Sequence, residues 1–278
     1  MPDTRCVVIT VHGVGAQPET WSQRFVGLLQ GALGPLVSQV EIVDAYWAPL
    51  STPEELAHPT FAPGQLGAVA GGVEDETYRR TVLEFSRMMA ADAGVPVGAP
   101  TLGPSDLFNA IKNRLDTGLE LVADVGNYVA RNGVRTGVQS VLHGRLGEAH
   151  RAHPGVPIVV VSHSQGTIIT YDTLRQAGDN YPAVRAWVTM GSPLGKYLAF
   201  PLEWGRQQLA LPTQLRWVNF YDVHDIVGKA LQGLVPWPSP KPEDREVDNV
   251  GRAGGAHDHW HNPQVVDGIA EEIRRVVN

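Results

Sequence analysis

The chain has 278 residues, a formal net charge of −7 at pH 7 and one cysteine. This length suits one α/β domain with a large core, and the negative charge without a Lys/Arg cluster argues against binding to nucleic acid. Cys6, alone, excludes an intrachain disulfide, and we expect it to be a buried core thiol. Without a signal-peptide pattern or a membrane-spanning apolar run, we expect a cytoplasmic protein with no transmembrane segment; its oligomeric state stays open.

Short apolar runs alternate with helical patterns along the chain. This alternation predicts a single domain over residues 1–278, with a mostly parallel central sheet and helices on both faces. A helix is predicted at 19–33, and a final helix has Asn262 as its N-cap and Pro263 in its first turn. Strands are predicted at 6–11, 40–46, 158–161, 184–190, 215–221 and 246–250.

The stretch between residues 47 and 157 is much longer than one connecting helix needs. Its apolar spacing predicts helices at 74–91, 105–130 and 134–150. We expect the third to pack on the sheet. The first two are surplus to a minimal sheet, so residues 51–132 are predicted to form a helical cap, or lid, over its upper edge. A simple thickening of the helical layer is the alternative interpretation.

The most informative segment is the pentapeptide S-H-S-Q-G at 162–166. It follows a β-branched run and precedes a helix-compatible apolar run, which predicts a strand, a tight turn and a helix with Ser164 at the apex. Small residues are needed there because the helix packs directly beside the strand. A serine on such a turn exposes its hydroxyl above the sheet edge, with the next backbone N–H free. The sequence therefore predicts Ser164 as a nucleophile beside the N–H of Gln165.

A serine nucleophile needs a base and a carboxylate that orients it, and on such a sheet they arrive in the order serine, acid, histidine. Asp222 and Asp225 follow the fifth predicted strand, and either could instead cap a turn. His257, His259 and His261 precede the final helix. His257 is the first candidate because it has the longest stretch before the helix and two glycines behind it. His259 comes next, and His261 is expected to face solvent.

The segment H-G-V-G at 12–15 follows the first predicted strand. Gly13 and Gly15 let the backbone approach a ligand closely. The N–H groups of Val14 and Gln165 are therefore the predicted oxyanion hole. Phosphate binding is the alternative for a glycine-rich turn, but the spacing matches neither the dinucleotide fingerprint nor a P-loop.

The alternating histidines also allow a metal-site interpretation. If residues 257–261 formed a strand, His257, His259 and His261 would share one face and, with Asp258 or Asp225, offer ligands to a metal ion. The segment has few β-formers and runs into a helix start, which counts against this arrangement.

Taken together, these segments resemble the α/β-hydrolase superfamily, and most closely its lipase- and esterase-like members. T-M-G-S-P-L at 189–194 is also similar to a segment of lipase-like proteins. The resemblance implies Ser164 as nucleophile, Asp225 as acid, because a short apolar pair follows it, and His257 as base, because it lies several residues before the Pro-started helix. The sequence departs from the usual pattern at Ser162, which replaces a glycine, and the stretch 47–156 matches no known cap.

The expected activity is hydrolysis of a small-molecule or lipid-like carboxylic ester through an acyl-enzyme, with no metal or organic cofactor. An apolar acyl pocket is expected, although each of its candidate residues is equally compatible with plain core. A thioesterase, an amidase or peptidase, or a phospholipase would use the same triad. A non-catalytic binding module with a hydrolase fold is the remaining alternative. The candidates for the pocket are the predicted cap helices and Trp47, Leu194, Tyr197, Leu198 and Phe200.

Overall fold

The computed structural model describes residues 4–13, 17–51, 73–97, 103–115, 118–181, 183–199, 211–233, 240–249 and 255–278. Within these ranges six strands form one sheet in the order β2-β1-β3-β4-β5-β6, and every neighbouring pair is parallel. The predicted α/β class is therefore confirmed. The strands are β1 (Cys6–Val11), β2 (Val40–Ala45), β3 (Ile158–His163), β4 (Val184–Met190), β5 (Arg216–Tyr221) and β6 (Glu243–Glu246).

Helices cover both faces of this sheet, so the central strands β1 and β3 are buried at every position. Continuous apolar runs are what strands buried on both faces require. Cys6 on β1 is buried, as expected, and burial raises the pKa of its thiol to about 12. The described helices are α1 (Gln23–Leu33), α2 (Ala48–Ser51), α3 (Val73–Asp92), α4 (Pro104–Lys112), α5 (Gly118–Ala130), α6 (Asn132–Ala152), α7 (Gln165–Ala177), α8 (Leu194–Leu198) and α9 (Pro263–Val277).

Alternate side chains of each strand enter two separate apolar cores. Val8 on β1 packs with the buried faces of α1 and α9, whereas Val7 and Ile9 pack with α6 and α7 on the opposite side. The predicted start of α9 is confirmed, because the Asn262 side chain accepts a hydrogen bond from the backbone N–H of Gln264. No helix within the described ranges combines the length and apolar character of a membrane span.

Three predicted elements have a boundary that is wrong by more than two residues. The helix predicted at 19–33 begins at Gln23. The helix predicted at 105–130 is two helices, α4 and α5, and a Cβ at Gly118 would lie 2.5 Å from the Ile111 side chain, because the start of α5 packs against α4. The last strand begins at Glu243 rather than at residue 246. It is an edge strand of charged residues, so it lacks the apolar pattern that identifies buried strands.

The described helices of the predicted cap, α3 to α5, contribute buried side chains to the same core as α6 and α7. Tyr78 and Phe85 of α3 and Val125 of α5 belong to that core. The parts of the predicted cap at 52–72, 98–102 and 116–117 lie outside the described residues.

The strand order reverses direction between β1 and β3. The chain leaves β1 toward β2 on one side, and β3 lies on the other side of β1. In open parallel sheets, ligands bind in the crevice outside the carboxyl ends of the two strands at such a point. Gly13 comes two residues after the end of β1 and Ser164 directly follows β3, so both lie at this crevice.

Candidate active site

Ser164 occupies the sharp turn between β3 and α7, with φ 52° and ψ −130°. Among the described residues it is the only non-glycine residue with a positive φ. Such a conformation costs about 1–3 kcal/mol. Hydrogen bonds hold it: the Ser164 N–H donates to the Met190 carbonyl at 3.0 Å, and the Ser164 carbonyl accepts from the N–H and hydroxyl of Thr167 at 2.9 and 2.7 Å.

Two glycines allow the backbone to close around this serine. A Cβ at Gly166 would lie 2.3 Å from the backbone oxygen of His12, and a Cβ at Gly13 would lie 2.9 Å from the Ser164 Cβ. Real Cβ atoms do not approach other atoms so closely, so the first turn of α7 packs on the end of β1 only because residue 166 has no side chain.

The acid that reaches the site is Asp225, in the turn after β5. Asp225 is buried, its Oδ1 accepts from the Val227 N–H at 2.8 Å, and its Oδ2 lies 2.8 Å from His257 Nδ1. Asp222 instead accepts from the backbone N–H groups of His224 and Asn249 at 2.7 and 2.6 Å. The structure thus brings Asp225 to the histidine, while Asp222 caps two loops.

His257 joins the acid to the serine. It ends a short 3₁₀ turn, and its Nε2 lies 2.9 Å from Ser164 Oγ. An ionised carboxylate can only accept hydrogen bonds. His257 Nδ1 is therefore protonated and donates its hydrogen bond to Asp225. The Nε2 lone pair therefore faces Ser164, whose hydroxyl donates to it.

The charge states of the neighbouring groups follow from burial and contact. Burial alone would raise the pKa of Asp225, but the charges and hydrogen bonds of His257 and His259 outweigh it and hold this pKa well below its usual value. Burial, with repulsion from the same two histidines, lowers the pKa of His163 well below its usual value. His163 is therefore neutral, and its Nε2–H donates to the His257 carbonyl at 2.9 Å.

The other two candidate histidines have different surroundings. His259 is fully buried, with Nε2 3.3 Å from Asp225 Oδ2. His261 is half-buried rather than facing solvent, and its Nδ1 lies 2.9 Å from both carboxylate oxygens of Asp258. Neither ring has a hydrogen bond to Ser164 among the contacts that the described residues make.

The alternative metal site, with His257, His259 and His261 on one face of a strand, does not form among the described residues. His257 ends a 3₁₀ turn instead of lying on a strand, and His261 pairs with Asp258. One ligand atom each of Asp225, His257 and His259 does lie within 4.8 Å of the others. Both rings are at hydrogen-bond distance from Asp225 Oδ2, so a metal at this point would have to displace their two N–H protons.

The loop after β1 is held by His12. Its Nε2 accepts from the Trp47 backbone N–H at 3.1 Å, and the two rings stack with centroids 4.5 Å apart. This contact fixes Gly13 beside Ser164. Val14, the first predicted oxyanion donor, lies outside the described residues. Gln165, the second, is the first residue of α7, where a backbone N–H has no acceptor within the helix.

A cavity of about 210 Å³ opens onto the Ser164 hydroxyl. Besides Gly13, Ser164 and His257, its described lining includes the aromatic rings of Trp21 and Trp260 and the side chain of Leu115 beyond α4. Leu115 comes from the predicted cap helix at 105–130, whereas the described lining contains none of the five residues predicted individually for the acyl pocket. Trp47, Leu194 and Tyr197 are buried in the core, Leu198 packs against that core, and Phe200 lies outside the described residues.

Trp47 and Tyr197 have other partners in this core. Trp47 stacks on His12, and the Tyr197 hydroxyl donates to Asp172 at 2.6 Å. These contacts explain why neither ring faces the cavity.

Sequence reasoning did not identify two polar residues beside the acid. Lys196 of α8 is buried; its Nζ donates to the Val227 carbonyl at 2.9 Å and pairs with Asp92 of α3 at 2.6 Å. Asn249 donates to His259 Nδ1 at 3.2 Å. No local sequence pattern identifies either residue, because the partners of both lie outside the segment in which each residue stands.

The chain was compared with known proteins. No family model matches it, and no curated protein does. The inference of function therefore depends on the geometry described above.

Proposed function

We propose that this chain is a serine hydrolase that cleaves carboxylic esters, with Ser164 as nucleophile, His257 as base and Asp225 as acid. The observation that carries the proposal is the hydrogen-bonded row of three side chains: Ser164 Oγ to His257 Nε2 at 2.9 Å, and His257 Nδ1 to Asp225 Oδ2 at 2.8 Å. These are the contacts by which a serine hydroxyl is activated at neutral pH.

In the proposed reaction, His257 takes the Ser164 proton as Ser164 Oγ attacks the ester carbonyl. A tetrahedral oxyanion forms and collapses when His257 protonates the leaving alcohol, which leaves an acyl-enzyme on Ser164. His257 then removes a proton from a water molecule that attacks the acyl carbonyl. The carboxylic acid leaves, and Ser164 regains its proton.

Asp225 keeps its negative charge through this cycle, because its pKa lies well below its usual value. It accepts a hydrogen bond from the Nδ1–H of His257 and so keeps the Nε2 lone pair toward Ser164. When His257 becomes positively charged, the adjacent anion stabilises it.

The developing oxyanion would lie at the N-terminus of α7, where free N–H groups and the helix dipole favour negative charge. Gln165 supplies one proposed donor. The second proposed donor, Val14, is taken from the glycine-rich segment that follows the first strand in the sequence. Each donor of this kind typically contributes about 10²–10³-fold in rate.

Membership of the α/β-hydrolase superfamily is part of the proposal. A parallel sheet, a strained serine between strand and helix, and a site at the reversal of strand order all support it. A cap formed by residues 51–132 is supported by Leu115, which borders the cavity, and by the ion pair of Asp92 with Lys196.

Fluorophosphonate labelling and turnover of p-nitrophenyl esters test the proposal. The unaltered chain and Ser140→Ala, a change at an exposed serine of α6, should be labelled and should hydrolyse the esters. Ser164→Ala should lose both properties. Ester turnover that survives Ser164→Ala would contradict the nucleophile. A folded, unaltered chain that takes no label would favour the binding module.

The same assay separates the acyl chemistries that share a triad. An ester series of increasing chain length, beside a thioester and an anilide of matched acyl group, should be hydrolysed fastest at one of the esters. A higher kcat/KM for the thioester or the anilide would overturn the ester preference while leaving the triad in place.

A further inference from the structure

We propose that His259 is a positioning residue of this site, which donates a second N–H to Asp225 and so orients the carboxylate and limits its basicity toward His257. The inference rests on the proposed serine-hydrolase function. His259 is fully buried, and its Nε2 lies 3.3 Å from Asp225 Oδ2, the same oxygen that His257 contacts at 2.8 Å.

The orientation of Asn249 assigns the proton on His259. The Asn249 amide nitrogen donates to the Ala256 carbonyl at 3.0 Å, and its oxygen accepts from the Asn262 side chain at 2.7 Å. A carbonyl can only accept, so the atom that faces it and His259 Nδ1 is the NH₂ group of Asn249. His259 Nδ1 therefore accepts, at 3.2 Å, and the ring proton lies on Nε2.

With that tautomer, Asp225 receives three hydrogen bonds: Oδ1 one from the Val227 N–H, and Oδ2 one from each of two imidazoles. Three donors in different directions leave the carboxylate little freedom to rotate. Asn262 is also the N-cap of α9. The hydrogen bonds that orient Asn249 and His259 therefore begin at a helix terminus.

The second donor also affects the base. Each hydrogen bond to a carboxylate stabilises its charged form and weakens its attraction for other protons. Asp225 thus stabilises the positively charged form of His257 less than it would without His259. Removal of the donation should therefore strengthen the hydrogen bond that Asp225 accepts from His257 Nδ1. Two other ionisable groups face this pair, His163 on β3 and Lys196 on α8, and both remain in either variant. His163 loses the repulsion from His259 in both variants, so a comparison of the two variants cancels that change.

Two substitutions separate donation from packing. His259→Gln keeps an N–H the same number of bonds from Cα as histidine Nε2, so it can still reach Asp225. His259→Asn keeps an acceptor at the position of Nδ1 for Asn249 but has no atom at the position of Nε2. If His259 acted through packing alone, the shorter and longer amides would differ in stability and not in the hydrogen bond between His257 and Asp225.

On ester substrate, His259→Asn should lower kcat by about 10-fold to 100-fold with little change in KM. Its kcat/KM profile should lose activity at higher pH on the acidic side than that of the unaltered chain. His259→Gln should keep both the rate and the profile close to those of the unaltered chain. Equal losses in the two variants, or none in His259→Asn, would overturn the inference.

NMR of ring-labelled histidine keeps this inference separate from the proposed function. In the unaltered chain, His259 should be the neutral Nε2–H tautomer. The Nδ1 proton resonance of His257 should move downfield in His259→Asn, because its hydrogen bond to Asp225 strengthens, and not in His259→Gln, whether or not esters are hydrolysed. If esters are not hydrolysed but these shifts occur, the proposed function fails and the positioning stands. A proton on His259 Nδ1 in the unaltered chain would overturn the positioning without any variant.

Discussion

Gly166 lies so close to His12 that an added Cβ would be 2.3 Å from the His12 backbone oxygen and 2.7 Å from that of Val11. Both atoms belong to the main chain at the end of β1, so neither moves cheaply. The same approach brings α7 and the Ser164 turn against Gly13. Position 166 therefore controls both the packing of β1 on α7 and the geometry of the site.

Gly166→Ala should lower the free energy of unfolding by about 3 kcal/mol, because the new methyl group overlaps backbone atoms. Gly144→Ala is the matched control: residue 144 is exposed on α6, and nothing lies within 4 Å of its Cβ position. That change should raise the free energy of unfolding by about 0.5–1 kcal/mol. Urea unfolding measures both, and equal effects would contradict the close approach.

Asp225→Asn and Asp222→Asn should affect different properties. With an amide at 225, His257 loses the charge and acceptor that fix its tautomer, so kcat should fall about 10³–10⁴-fold. Asp222 accepts two backbone N–H groups in loops, so Asp222→Asn should lower stability by about 1–2 kcal/mol with a much smaller loss of kcat. Ester kinetics and urea unfolding separate the two, and a larger loss of kcat from Asp222→Asn would make Asp222 the acid.

Stability should decrease below about pH 6.5 because His163 stays neutral in the folded protein. Its pKa is lowered by burial, so the unfolded chain binds a proton near pH 6.5 that the folded chain does not, and falling pH favours unfolding. This difference costs about 1 kcal/mol between about pH 7.5 and about pH 5.5. His163→Gln should reduce the pH dependence by that amount in urea unfolding. His150→Gln, at an exposed position on α6, should leave it unchanged.

The carboxylate of Glu272 on α9 is buried and links the end of the sheet to that helix. It accepts from Arg216 at 2.5 and 3.1 Å and from Arg245 at 3.0 Å. Glu272→Gln should cost about 3 kcal/mol, because it removes the charge that these guanidinium groups face. Glu271→Gln, at an exposed neighbour, should cost less than about 1 kcal/mol. Thermal unfolding would contradict this ranking if the two variants were equal.

The sequence was most informative where one segment alone decides the structure. The bounds of β1 and β4 are as predicted, because both strands are largely apolar and, except at Arg185, buried. The turn at Ser164 and the N-cap at Asn262 also depend on adjacent residues. The strand β6 was misplaced because an edge strand is stabilised by ion pairs of Glu243 and Arg245 with distant partners.

The sequence was sufficient to predict which loops carry the candidate site residues, but not which residue of each loop reaches Ser164. That an acid would follow β5 and a histidine would precede α9 followed from chain order. Two alternatives stayed open, Asp222 or Asp225 and His257 or His259, because each depends on how a loop turns. The proposed part of His259 depends on Asn249, which lies ten positions away in the connection between β6 and α9, and no periodicity in the sequence indicates that contact.

The dihedral angles of Ser164 set the stability of the turn against the presence of a side chain at its apex. Glycine adopts a positive φ without steric strain. Ser164→Gly would therefore relieve the backbone strain of the turn and remove the hydroxyl group. Selection for folding stability alone would favour glycine at position 164. With serine at this position, the chain carries backbone strain at one residue and has a hydroxyl group at the turn.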